Sequence, residues 1–180
     1  DGFVDIIATG NAHFLFYNNG DGTFTEAPNP FNSNNIHSAA VGDLNNDGFV
    51  DIYAGYAMEF NTPTNITDKL WINEGNTNNF IAINLKGTQS NINGIGARIE
   101  VHGSWGMQIR EVRSGEGYGV MNSLTKYVGL GQANTISKVV VKWPSGIVDE
   151  VINPSPNQFL TIDEGSGICD DDDNDGVCNA

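Results

Sequence analysis

The chain has 180 residues, with 22 acids against 8 bases, a formal net charge of −14 and a pI near 4.2. That excess of acid argues against nucleic acid as a partner, because phosphate recognition is driven by Lys and Arg. The longest apolar runs are strand-sized, far short of the roughly 20 residues that a membrane-spanning helix needs.

Taken in chain order, Asp1-Gly2-Phe3-Val4-Asp5-Ile6-Ile7-Ala8 opens on a polar turn and runs into a short β-branched strand. It matches Asp47-Gly48-Phe49-Val50-Asp51-Ile52-Tyr53-Ala54 almost letter for letter, at a spacing of 46 residues. Phe14-Leu15-Phe16-Tyr17-Asn18-Asn19-Gly20 is echoed by Lys69-Leu70-Trp71-Ile72-Asn73-Glu74-Gly75, with about nine extra residues between Tyr56 and Asp68 that read as a loop. The first copy starts inside its turn, so the polypeptide reads as a piece of something longer.

The second copy shows the turn whole. Asp43-Leu44-Asn45-Asn46-Asp47-Gly48-Phe49-Val50-Asp51 puts oxygen side chains at positions 1, 3, 5 and 9, glycine at the sharp bend and a main-chain carbonyl, that of Phe49, at position 7. A hard cation such as Ca²⁺ takes six to eight oxygen ligands in this alternating pattern. An EF-hand is excluded, because position 12 is Ala54 and both flanks suit strands rather than helices. Asn, Asp and Gly also build turns without metal, but turn chemistry does not call for acids at every second position, and calcium is the preferred reading.

A period near 45 residues with several short strands per unit is the signature of β-propeller blades. The turn and its following strand resemble the FG-GAP repeats of integrin-α-type propellers, also described as VCBS-type repeats. The resemblance implies calcium ligands at Asp43, Asn45, Asp47, Phe49 (carbonyl) and Asp51, and in the shortened copy at Asp1, Phe3 (carbonyl) and Asp5.

From Phe80 to Ile162 the pattern is alternating and all-β, with strands expected at Phe80–Leu85, Ala97–Val101, Gln108–Val112 and Lys138–Trp143 between Gly, Asn, Ser and Pro turns. The segments Gly94-Ile95-Gly96-Ala97-Arg98-Ile99, Arg110–Tyr118, Val128-Gly129-Leu130-Gly131 and Val141-Lys142-Trp143-Pro144-Ser145-Gly146 resemble the ASPIC/UnbV domain in order and spacing. That domain commonly follows FG-GAP repeats in secreted bacterial proteins and animal cartilage acidic proteins. The likeness implies no catalytic residues.

The tail, Cys169 to Asn179, repeats the oxygen spacing with Asp171, Asp173, Asp175, Val177 (carbonyl) and Asn179, and resembles thrombospondin type 3-like calcium repeats. A solvated acidic linker is the plain alternative. Cys169 and Cys178 are the only cysteines; a disulfide between them would suit an oxidising compartment, but two cysteines do not establish the pairing.

Net charge follows the same division: −9 over residues 1–79, +2 over 80–162 and −7 over 163–180. The acid sits where calcium would. No signature of catalysis appears: His13, His37 and His102 are scattered, there is no nucleophile elbow, and Gly115-Glu116-Gly117-Tyr118-Gly119 lacks the Lys and helix of a phosphate loop. Trp105, in a hairpin turn, is either an exposed stacking residue or one folded over the sheet edge.

The expectation is therefore an all-β chain: two blades of a partial propeller (1–79), an antiparallel sandwich or barrel-like domain (80–165) and an Asp-rich calcium-binding segment (166–180). Its expected role is an extracellular, calcium-binding, non-catalytic module for adhesion, interaction or structure, within a larger chain or surface assembly and with a protein or glycan ligand. The alternative is a carbohydrate-binding or accessory module of a secreted polysaccharide-active enzyme. The sequon Asn65-Ile66-Thr67 matters only in a eukaryotic host.

Overall fold

Short β-branched and aromatic runs, broken every few residues by Gly, Asn and Asp, favour strands joined by tight turns. The computed structural model follows this: among its described residues, which are 1–28, 31, 35–59 and 62–167, there are fifteen strands and no helix. No helix is therefore long and apolar enough to cross a membrane among those residues. The chain divides into two units, one made of Phe3–Gly75 and Gly115–Ser123, the other of Asp1–Gly2, Asn76–Ser114 and the chain from Leu124 on.

In the repeat unit, β1 (Ile6–Ala8), β2 (Phe14–Asn18) and β3 (Phe24–Glu26) form one antiparallel sheet in the order β1-β2-β3. Next come β4 (Ser38–Gly42), β5 (Asp51–Gly55), β6 (Ala57–Glu59), β7 (Thr62–Pro63) and β8 (Lys69–Trp71), of which β4, β5 and β8 make a second sheet in the order β4-β5-β8. The sequence repeat is also a repeat of register. Ile6 faces Phe16 across β1 and β2, and their counterparts Ile52 and Trp71 face one another across β5 and β8. The extra residues of the second copy are not merely a loop, since β6 and β7 pair as a small hairpin of their own. Phe31, Ile36, Ala54 and Tyr56 form the core, with Ile7, Ala39, Ile52 and Trp71 packed on it and the Phe31 ring edge-on to Trp71 at 5.1 Å.

The other unit holds β9 (Asn79–Lys86), β10 (Arg98–Gly103), β11 (Gly106–Glu111), β12 (Lys126–Gly131), β13 (Lys138–Lys142), β14 (Val148–Ile152) and β15 (Phe159–Asp163). They form two sheets, ordered β11-β10-β13-β14 and β12-β9-β15, neither closed into a barrel. Alternate residues of both sheets meet in one core: Ile81 and Ile83 from β9, Val128 from β12 and Ile162 from β15 pack with Ile99, Val101, Val139 and Val141. This is a sandwich. One pairing departs from the antiparallel expectation, because β15 runs parallel to β9, with Leu160 opposite Ile83 and Ile162 opposite Leu85. Alternating apolarity reports which face of a strand is buried but not which way the strand runs.

Two buried carboxylates close this sandwich. Asp149 is 0% exposed and accepts the Trp143 indole N–H at 2.7 Å and the Gly165 and Gly167 amides at 2.8 Å each. Glu164 accepts three successive amides, those of Thr88, Gln89 and Ser90, on a single oxygen at 2.7 Å, and the Ser90 and Ser145 hydroxyls on the other. Such a run of converging amides is an anion nest, filled here by the protein's own side chain. Burial alone would raise the Glu164 carboxyl, but the hydroxyls of Ser145 and Ser90 and the amides of Ser90 and Thr88 outweigh it and bring it from 4.5 down to about 2.

A carboxyl depressed by folding stabilises fully above its ordinary value of 4.5, and that contribution is lost as the pH falls toward about 2. Thermal melts of wild type and Glu164→Gln across this range should show a melting-temperature gap that is widest above 4.5 and closes toward 2. A gap independent of pH would mean that the charge contributes nothing.

Candidate functional site

The nine residues from Asp43 to Asp51 form the turn between β4 and β5, and Asn46 and Gly48 reverse the chain with φ of 60° and 89°. Every acid of the turn points inward to a main-chain amide. Asp43 accepts the Asp47 and Gly48 amides at 3.1 and 2.8 Å, and Asp47 accepts the Phe49 amide at 2.8 Å. Asn45 donates to Asp47 at 2.8 Å while its oxygen lies 3.3 Å from the Asp47 amide. Asp51, only 1% exposed, accepts Leu44 N–H at 2.7 Å on one oxygen and Asn73 N–H at 2.8 Å on the other. One buried carboxylate thus ties the start of the turn to the strand end beyond β8.

The contact from Asp51 to Asn73 belongs to a larger arrangement that recurs in the first copy. Asn73 donates its side-chain N–H to the Val50 carbonyl at 3.3 Å and accepts the Gly75 amide at 3.0 Å. In the first copy Asp5 accepts Asn18 N–H at 2.8 Å, Asn18 donates to the Val4 carbonyl at 3.1 Å, and Gly20 donates to Asn18 at 3.0 Å. Glycine is required at the last position twice over. Its φ is 80° at Gly20 and 70° at Gly75, and an added Cβ would lie 2.5 Å from the Phe3 ring or 2.8 Å from the Phe49 ring. Asn18 and Asn73 are the residues that sequence reasoning missed. The recurring Asn-x-Gly was legible as a repeat, but not its partnership with an aspartate 13 or 22 residues earlier.

Asp43, Asn45, Asp47 and Asp51 are brought together on one turn, and Phe49 joins them through its amide and its ring. In the first copy Phe3 and Asp5 share the repeat unit, whereas Asp1 belongs to the other unit. Asp171, Asp173, Asp175, Val177 and Asn179, like Cys169 and Cys178, lie outside the described residues. Among the described residues no three His, Cys, Asp or Glu side chains are gathered closely enough to hold a metal by themselves. A cation at this turn would depend on the Asn45 and Phe49 oxygens as well as the carboxylates. In kind the donors fit a hard cation: all are oxygens, the acids have no Lys or Arg in an ion pair among the described residues, and an oxygen that accepts one amide keeps a second lone pair.

Trp105 is half-buried. It packs against the sandwich core with its indole over Gly103, where a Cβ would come within 2.3 Å of it. The turn residue folded over the sheet edge is the reading that holds. His13 is buried edge-on to Phe31 and His37 lies against Tyr118, so neither histidine sits in an acid cluster.

Residues 1–54 match the family model of an FG-GAP-like repeat, and residues 87–168 match the model described as ASPIC and UnbV. No curated protein matches the chain.

The Asp51 contacts predict a stability effect that needs no metal. In chelator-treated buffer, Asp51→Asn should lower the denaturant-unfolding free energy of the repeat unit by about 1–3 kcal/mol, the scale of buried charge-assisted bonds. Asp47→Asn, on the exposed limb of the turn, should cost less than about 1 kcal/mol. Equal and small losses from both would remove the structural role given to Asp51.

Proposed function

We propose that this chain, an FG-GAP-like repeat followed by an ASPIC/UnbV domain, serves as an extracellular calcium-binding module for interaction or structural support and performs no catalysis. One observation carries the reading: Asp43, Asn45, Asp47 and Asp51 share a nine-residue turn with no cationic side chain paired to any of the acids among the described residues. The amides that meet these carboxylates supply only partial charges, so repulsion among the acids remains to be offset. A divalent cation offsets it. Asp43, Asn45, Asp47, the Phe49 carbonyl and Asp51 would hold the ion, which supplies charge neutralisation and a rigid centre for the turn. The first copy offers Phe3 and Asp5 to the same chemistry.

An extracellular setting suits a site built from so few protein oxygens, since extracellular modules bind calcium in the 10⁻⁴–10⁻³ M range. A turn fixed in shape presents its exposed residues, Leu44 among them, as a defined surface for a protein or glycan partner. Of the two expected roles, the packing of half-buried Trp105 against the core favours interaction or assembly over an accessory carbohydrate-binding role.

Millimolar calcium should raise the melting temperature by several degrees, as expected for an ion that binds only the folded form. The rise should vanish with excess chelator and shrink in Asp43→Ala and Asp47→Ala, whose side chains leave the core untouched. Identical melting with calcium and with chelator would overturn the proposal.

A further inference from the structure

We infer that the segment Gly115–Ser123 is a strap that completes the repeat unit by covering the open edge of β4, so that the region matched to the ASPIC and UnbV model builds part of the repeat fold. The nine residues belong to the repeat unit although both flanks, Ser114 and Leu124, belong to the sandwich unit. β4 stands at the edge of its sheet. An edge strand presents a row of unpaired N–H and C=O groups, which either finds a cover or recruits another chain.

The strap supplies that cover at Val41. Both main-chain groups of Val41 are taken: its N–H donates to the Asn122 side-chain oxygen at 3.0 Å, and its carbonyl accepts the Ser123 N–H at 2.9 Å. The Asn122 amide thus stands in for the carbonyl of a neighbouring strand. At Gly42 an added Cβ would lie 3.2 Å from the Ser123 Cβ, a tight approach, and at Gly117 one would stand in ordinary contact, 3.7 Å, with the Ala39 carbonyl oxygen. Beyond the strand's first residue the His37 and Tyr118 rings meet edge to face at 5.5 Å. A lone bridge between Gly117 and Val120 turns the strap back on itself. The glycine-rich run that lacked the Lys and helix of a phosphate loop has its use here: glycines let one backbone lie against another.

The test is amide hydrogen exchange on the full chain. The Val41 amide should be protected in the wild type and should exchange about tenfold faster in Asn122→Ala, which removes one hydrogen bond and little else. A second variant replaces residues 116–122 with a Gly/Ser linker of equal length. It should lose protection at Val41, keep it at Val101 and Val139 in the sandwich core, and associate with rising concentration on size-exclusion chromatography, as an uncovered edge would. An unprotected Val41 in the wild type, or an unchanged Val41 rate in both variants, would overturn the strap.

Discussion

The repeat unit is organised around one hydrogen bond, donated by the main-chain N–H of an asparagine to the carboxylate at the end of a turn. It occurs as Asn18 to Asp5 and as Asn73 to Asp51, both at 2.8 Å. Its reach exceeds its length. Once the asparagine backbone is held, its side chain can bridge the residue before the aspartate and the glycine two residues on, and the glycine leaves room for the phenylalanine ring. Because one acceptor is a buried ion, losing its partners would leave a charge uncompensated rather than merely forfeit a bond. The arrangement also explains how the second copy accommodates β6 and β7. Lengthening a connection costs only slowly with added residues, and the staple lies at the opposite end of the sheet strands from that hairpin.

Both units solve the same problem in the same way. A chain with 22 acids and 8 bases cannot give every carboxylate a cation, and three of its buried ones are surrounded with N–H groups instead. Asp51 takes two main-chain amides, Asp149 two amides and an indole, and Glu164 three amides and two hydroxyls. Where bases are available, on the outer face of β10 and β13, the usual pairing returns: Glu100 lies beside Arg98 and Lys142, and although burial opposes it, those cations and His102 lower its carboxyl. Amide-bound carboxylates are fixed in place by the chain itself. Calcium at the turn would then act on a site already shaped, which favours binding by limiting the ordering that must accompany it.

Much of this was legible in the residues. The 46-residue spacing marked two copies of one unit, and Ile6–Phe16 and Ile52–Trp71 show that the copies share a register as well. Strands around Ile81, Ile99 and Val140 follow directly from alternation of β-branched residues. What escaped was whatever depends on long-range partners. The parallel run of β15 beside β9 leaves no mark on the periodicity of either strand. Asp149 and Glu164 look like surface acids because the amides that receive them come from residues 88–90 and 165–167, whose side chains carry no hint of it. The hairpin of β6 and β7 was hidden by the shortness of its strands, three residues and two, and by Pro63, proline being rare inside sheets.

The nine residues of 115–123 show why a boundary drawn on sequence and one drawn on packing need not agree. A family match measures which residues recur together, and 87–168 does so as one block. Packing measures where backbone polar groups are satisfied, and for Val41 that place is an excursion from the middle of the block. The two answers are compatible when one stretch of chain carries a side task for another. An isolated repeat region cut at Gly75 would lack an acceptor and a donor at Val41, and an isolated sandwich region would carry a glycine-rich segment with nothing beneath it. On this argument the smallest piece in which every main-chain group described at Val41 has its partner includes residues of both family matches.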